Sequence, residues 1–193
     1  MDRNTGCIVV QVSEAPIEMD SSAHPALEGL SPAAAQVAEY LIRNSELGLD
    51  GDPQRELPEL AEALGQEPAA CRAASLELKA RGWIQEDAQL INSDWRIAPR
   101  PAMFQALDHV WMGHDVARDA VDLLQHLRAN ADSGMTLPAT AQSLGWLPRR
   151  INPALEYLSE LEAADLGPYA HPYLANWLSE NGSTSAFMQS MGV

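Results

Sequence analysis

This 193-residue sequence is poor in cysteine, in aromatic residues and above all in positive charge. Its two cysteines, Cys7 and Cys71, form no CxxC pair and no Cys/His cluster, which excludes a disulfide framework and a structural zinc site. The five histidines, His24, His109, His114, His126 and His171, include no HExxH and no i, i+4 pair. His109 and His114 have Asp108 and Asp115 nearby, but helix ends and surface positions account for them better than a metal does. There is no GxGxxG, no phosphate-binding Walker loop and no GxSxG elbow, and the carboxylates are scattered along helix faces. No catalytic constellation results, so neither an enzyme nor a cofactor is expected. Long apolar runs are missing too. The segment from Cys7 to Val12 is too short for a signal-peptide core, and no span nears the roughly 20 apolar residues that cross a bilayer. A reduced, cytoplasmic protein is expected. Lysine and arginine number 12 against 27 acidic residues, for a formal charge of −15. That balance favours solubility and repels phosphate at long range, against the basic footprint of a general nucleic-acid binder.

What the sequence does have is a repeat. Leu57 to Ile84 reads as two short helices and a tight turn. Leu57, Leu60, Ala61 and Leu64 keep a three-four spacing up to Gly65, and Pro68 suits a first helical position. Cys71, Ala74, Ser75 and Leu78 make the inward stripe of the second helix, which Gly82 closes before Trp83-Ile84. From Leu137 the pattern returns: Leu144-Gly145, Pro148, Ile151, Ala154 and Leu158 match Leu64-Gly65, Pro68, Cys71, Ala74 and Leu78. The second copy departs at its end, where Ala163-Ala164-Asp165-Leu166 replaces the glycine-apolar closure.

Around these hairpins the chain reads in order. Residues 1–30 form an N-terminal arm whose CIVVQV segment is β-branched enough for a strand that packs on its own domain or pairs across a homodimer. Ser31-Pro32 starts a helix carrying Val37, Tyr40 and Leu41 inward. Asn44 to Glu56 is an acidic loop. Gln85 to Ser93 is a polar turn before the alternating Trp95-Arg96-Ile97. Met103, Phe104, Leu107, Val110 and Trp111 form an amphipathic helix that packs two domains together. Val116, Ala120, Leu123, Leu124 and Leu127 form the first helix of the second copy. Tyr173, Leu174, Trp177 and Leu178 read as a terminal helix ending near Gly182, and residues 183–193 as a frayed tail.

The hairpin with its Leu-Gly, Pro, small apolar residue, Leu and terminal Gly-apolar pair resembles the helix-turn-helix of bacterial winged-helix proteins, over most of Leu30 to Leu166. The resemblance implies a mainly α fold with small β wings, as two tandem winged helix-turn-helix domains. Their expected bounds are 31–100 and 114–182, with a linker helix at 101–113. It also implies which helices read DNA. At the exposed positions the first copy has Ala69, Ala70, Arg72 and Ala73, which offer little to a base edge. The second has Arg149, Arg150, Asn152 and Pro153, and arginine and asparagine pair bidentately with guanine and adenine. Arg96 and Arg100 lie where a wing holds phosphate. The first functional expectation is therefore a sequence-specific, dimeric DNA-binding regulator of transcription that reads double-stranded DNA through Arg149, Arg150, Asn152, Arg72, Arg96 and Arg100. The alternative is an acidic protein-binding adaptor whose contact lies near Ala69, Ala73 and Leu76. In architecture that alternative is similar to the accessory subunits of bacterial chromosome-condensation complexes, such as segregation-and-condensation protein B.

Overall fold

The structure, a computed structural model, describes residues 24–88, 95–130 and 136–193. Cys7–Val12 and the tip of the polar turn lie outside the described residues. Among the described residues the fold is mainly helical with two small antiparallel sheets. A short 3-10 turn, Pro25–Leu27, precedes α1 (Pro32–Arg43). There follow β1 (Arg55–Glu56), α2 (Leu57–Leu64), α3 (Pro68–Ala80), β2 (Ile84–Ala88), β3 (Trp95–Pro99) and α4 (Pro101–Trp111). The second half holds α5 (Val116–Ala129), α6 (Leu137–Leu144), α7 (Pro148–Glu160), β4 (Ala164–Leu166), β5 (Leu178–Glu180) and α8 (Thr184–Ser190). Among the described residues no helix is long and apolar enough to cross a membrane.

Local chemistry sets the helix bounds. The Ser31 side chain accepts the Ala34 N–H, and Pro32 opens α1 where an N–H would have no helical partner. Gly65 and Gly145 end α2 and α6 in the left-handed region, at φ 61° and 67°. In both places the next residue's N–H reaches five back, Gln66 to the Ala61 carbonyl and Trp146 to that of Ala141. The same pair of bonds closes α3 and α7. Gly82 (φ 74°) holds the left-handed position after α3, and Glu162 (φ 51°) holds it after α7. Side-chain chemistry differs there while backbone geometry repeats.

Two apolar cores result. Leu27, Leu41, Leu60, Cys71, Leu78 and Ile97 belong to the first. So do Met103, Phe104, Leu107, Val110 and Trp111, so α4 is built into the first unit. Leu123, Leu124, Ile151, Leu155, Leu158 and Met188 belong to the second. The first sheet runs β1-β3-β2 and the second is the pair β4-β5. Two expectations are corrected here. Residues 183–193 hold α8 in place of a frayed tail, because Met188 enters the second core and the Thr184 hydroxyl donates to the Ala163 carbonyl at 2.6 Å. The terminal helix read from Tyr173 to Gly182 is instead a turn that leads into β5.

Candidate functional site

The two repeats present corresponding helices, α3 and α7, each of 13 residues and each opened by proline. On α3 the inward stripe is as the spacing predicts, with Cys71, Ala74, Ser75 and Leu78 buried. Ala69, Ala70 and Ala73 are exposed, and Leu76, one turn on, is 48% exposed. This face carries almost no hydrogen-bonding capacity. The cations nearby are engaged. Arg72 and Lys79 both reach Glu86, at 2.6 and 2.8 Å, and the Arg72 guanidinium lies 3.8 Å from the centre of the Trp95 ring. Glu86 is almost wholly covered. Arg96 pairs with Glu56 of the adjacent strand at 3.3 Å. Arg100 is exposed at the start of α4.

On α7 most of the expected reading face is turned inward, which corrects the expectation that Arg149, Asn152 and Pro153 are exposed; Arg150 is half-buried. Arg149 retains only 7% of its surface. Its Nη1 donates to Asp108 Oδ2 at 2.8 Å and its Nη2 to Oδ1 at 2.7 Å, a two-pronged pair between α7 and α4. Nη2 also donates to the Ile42 carbonyl, and the guanidinium lies 4.7 Å from the centre of the Phe104 ring. Arg150 makes the same kind of fork to Asp119 on α5, at 2.9 and 2.6 Å, and stacks 4.0 Å from the Trp146 ring centre. Asn152 is fully buried. Its amide donates to the carbonyls of Leu47 and Pro172, and its Oδ1 accepts the Leu174 N–H, so it ties the first unit's loop to the second unit's turn.

Pro153 sits inside α7, which nonetheless runs unbroken from Pro148 to Glu160. Proline brings no N–H to the Arg149 carbonyl one turn back. Gly48 packs against that spot: a Cβ there would lie 2.7 Å from the Arg149 carbonyl oxygen and 2.8 Å from Pro153 Cγ. A glycine at φ 66° thus allows the acidic loop to close on α7.

The residues that hold α7 down are Asp108, which the sequence reading placed only as a neighbour of His109, and Asp119, which it did not single out. Both left a signal. Asp108 lies on the stripe Phe104, Leu107, Trp111, and Asp119 on the stripe Val116, Ala120, Leu123. A carboxylate on an apolar stripe needs a buried cation. Burial pushes the Asp108 carboxyl above the usual carboxylate range, and Arg149 pulls it back only in part. His114, in the turn between α4 and α5, is pushed down, chiefly by burial, with the opposing fields of Asp119, Asp108, Arg150 and Arg149 around it. Among the described residues no group of three or more metal-ligating side chains gathers.

Compared with known proteins, the sequence matches no family model and no curated protein.

Proposed function

We propose that the chain is a tandem winged-helix adaptor that holds a protein partner on the exposed face of α3, and is not a reader of DNA sequence. The order helix, short strand, helix, helix, hairpin in the first half supports the winged-helix part, as does the matching helix, helix, helix, hairpin order in the second. One observation carries the functional part: Arg149 and Asn152 of α7, two of the residues best suited to bases, are engaged inside the protein, and the half-buried Arg150 is forked onto Asp119. A guanidinium forked onto a buried carboxylate has no edge left for guanine, and a fully buried Asn152 cannot reach adenine. What α3 offers outward is alanine and a leucine, which suit a protein surface. The charge of −15 points the same way. This is the reading in which the architecture is similar to the accessory subunits of chromosome-condensation complexes.

The test places a photocrosslinking amino acid at position 73 in cells. A discrete crosslinked protein, lost when Leu76→Glu is added, is the expected result. Salt-sensitive retention of genomic DNA fragments by the wild-type chain, with no protein crosslink at position 73, would overturn it.

A further inference from the structure

The bend that leads from β5 into α8 carries Asn181-Gly182, the one place in the sequence where glycine follows asparagine. Asn181 is the knot of this bend. Its Nδ2 donates to the Glu162 carbonyl at 3.2 Å and to Asp165 Oδ1 at 3.1 Å, and its Oδ1 accepts the Ser183 N–H at 2.9 Å. Its own N–H donates to the Thr184 hydroxyl oxygen at 2.9 Å. That hydroxyl holds the Ala163 carbonyl, and Met188 of the same helix fills the second core. One residue thus joins the end of α7, β4 and the start of α8.

Neither backbone nor space requires the glycine beside it. The Gly182 φ lies outside the left-handed region, and a Cβ there would meet nothing within 4 Å. What glycine does is bare its own amide. Gly182 is exposed, and its N–H donates to no group of the described residues. The Ser183 bond to Oδ1 folds the Asn181 side chain back over its own backbone, in an Asx turn. The same bond draws electron density from Cγ and meets the charge that develops on Oδ1 when a nucleophile adds there.

We propose that Asn181 is a site of spontaneous deamidation, which loosens α8 from the second unit. The Gly182 nitrogen, losing its proton to solvent, attacks Asn181 Cγ. The new N–Cγ bond closes a five-membered succinimide as the Cγ–Nδ2 bond breaks. Nδ2 takes a proton from solvent and leaves as ammonia. Water then adds at one of the two ring carbonyls and opens the ring, to aspartate or to isoaspartate. Water is the only co-reactant. Either product lacks the donor, so an amide that gave its hydrogens to Asp165 and the Glu162 carbonyl becomes a carboxylate facing two acceptors. In isoaspartate the main chain also gains a methylene between β5 and α8. This site is separate from the α3 contact and does not depend on it.

The test incubates the folded full chain in neutral buffer at body temperature and follows each asparagine by peptide mass spectrometry. The expected result is aspartate and isoaspartate at Asn181, ahead of every other asparagine. Gly182→Ala, whose Cβ screens the nitrogen and stiffens the backbone, should slow the change at least about tenfold. It should leave the fold as it is, since the space around Gly182 is open. Asn181→Asp carries the product directly and should lower the folded-to-unfolded ratio about tenfold. Hydrogen exchange at Met188 should quicken in that variant. If Asn181→Asp fails to fold, the aged wild-type chain gives the same reading, with modified and unmodified molecules compared in one sample. Modification at Asn181 no faster than at the other asparagines, or an unchanged rate in Gly182→Ala, would overturn the proposal. So would modification only of the urea-unfolded chain, or Met188 exchange that is the same in modified and unmodified molecules.

Discussion

Helices α3 and α7 have the same length, the same opening proline and the same closing bonds, yet one faces out and the other in. The difference lies in what each meets. The exposed side of α3 carries three alanines and a leucine beyond its own core. The corresponding side of α7 meets α4, α5 and the loop after α1, which supply Asp108, Asp119 and the Leu47 carbonyl. A repeat preserves backbone geometry because that geometry is set locally. The use of its surface depends on the neighbour, and the second copy has the first copy as its neighbour.

The largest way to break this comparison is to remove one partner of the Arg149–Asp108 pair. Arg149→Ala leaves a carboxylate buried without its cation, which typically costs about 3–5 kcal/mol. Arg149→Met combined with Asp108→Leu removes both charges and should recover most of that loss, since apolar replacement of a buried pair is often neutral. Denaturant unfolding measures both. Arg72→Ala, which removes a forward-reaching cation from α3, should cost clearly less, because Lys79 still pairs with the covered Glu86 at 2.8 Å. Equal losses at Arg149 and Arg72 would refute the contrast between the two helices.

A smaller effect follows from pH. His114 is lowered by burial, so near and below the ordinary histidine value of about 6.5 the unfolded chain binds a proton that the folded chain does not. Stability therefore rises as pH rises through this window and is lost as pH drops through it. His114→Gln should flatten that slope, as read from denaturation midpoints across pH 5 to 8. On the α3 side the buried Cys71 thiol is pushed further above neutrality by burial, so it contributes nothing in that window. A slope that survives His114→Gln would mean that another group carries it.

The hairpins were legible because Leu64-Gly65 and Leu144-Gly145, each with its following proline, act within a few residues of themselves. The facing of α7 was not legible, because template spacing tells which side of a helix leaves its own core and not what lies beyond. The stretch from Tyr173 to Leu178 misled for a related reason. Its apolar spacing fits a helix, but Asn152 captures the backbone at Pro172 and Leu174 from far away in sequence. Asp108 and Asp119 were the readable warnings, each a carboxylate on an otherwise apolar stripe.

The smallest expected effect returns to the point where the two copies share geometry and differ in residue. After α3 the left-handed position is Gly82, and after α7 it is Glu162, at φ 51°. A side chain in that region costs about 1–2 kcal/mol relative to its right-handed state. Glycine there is free of that strain but loses more backbone entropy on folding, so Glu162→Gly should stabilise the chain by about 0.5–1 kcal/mol. The converse change, Gly82→Ala, should destabilise by a similar amount, because a Cβ at Gly82 meets nothing within 4 Å and the cost is conformational alone. Thermal unfolding of the two variants reads the same backbone position from both sides. Opposite signs would mean that the two closures are equivalent as backbone, and that Glu162 is a local departure from one shared pattern. Destabilisation by Glu162→Gly would mean that the second closure depends on its side chain, and the correspondence between the copies would then end at Leu158.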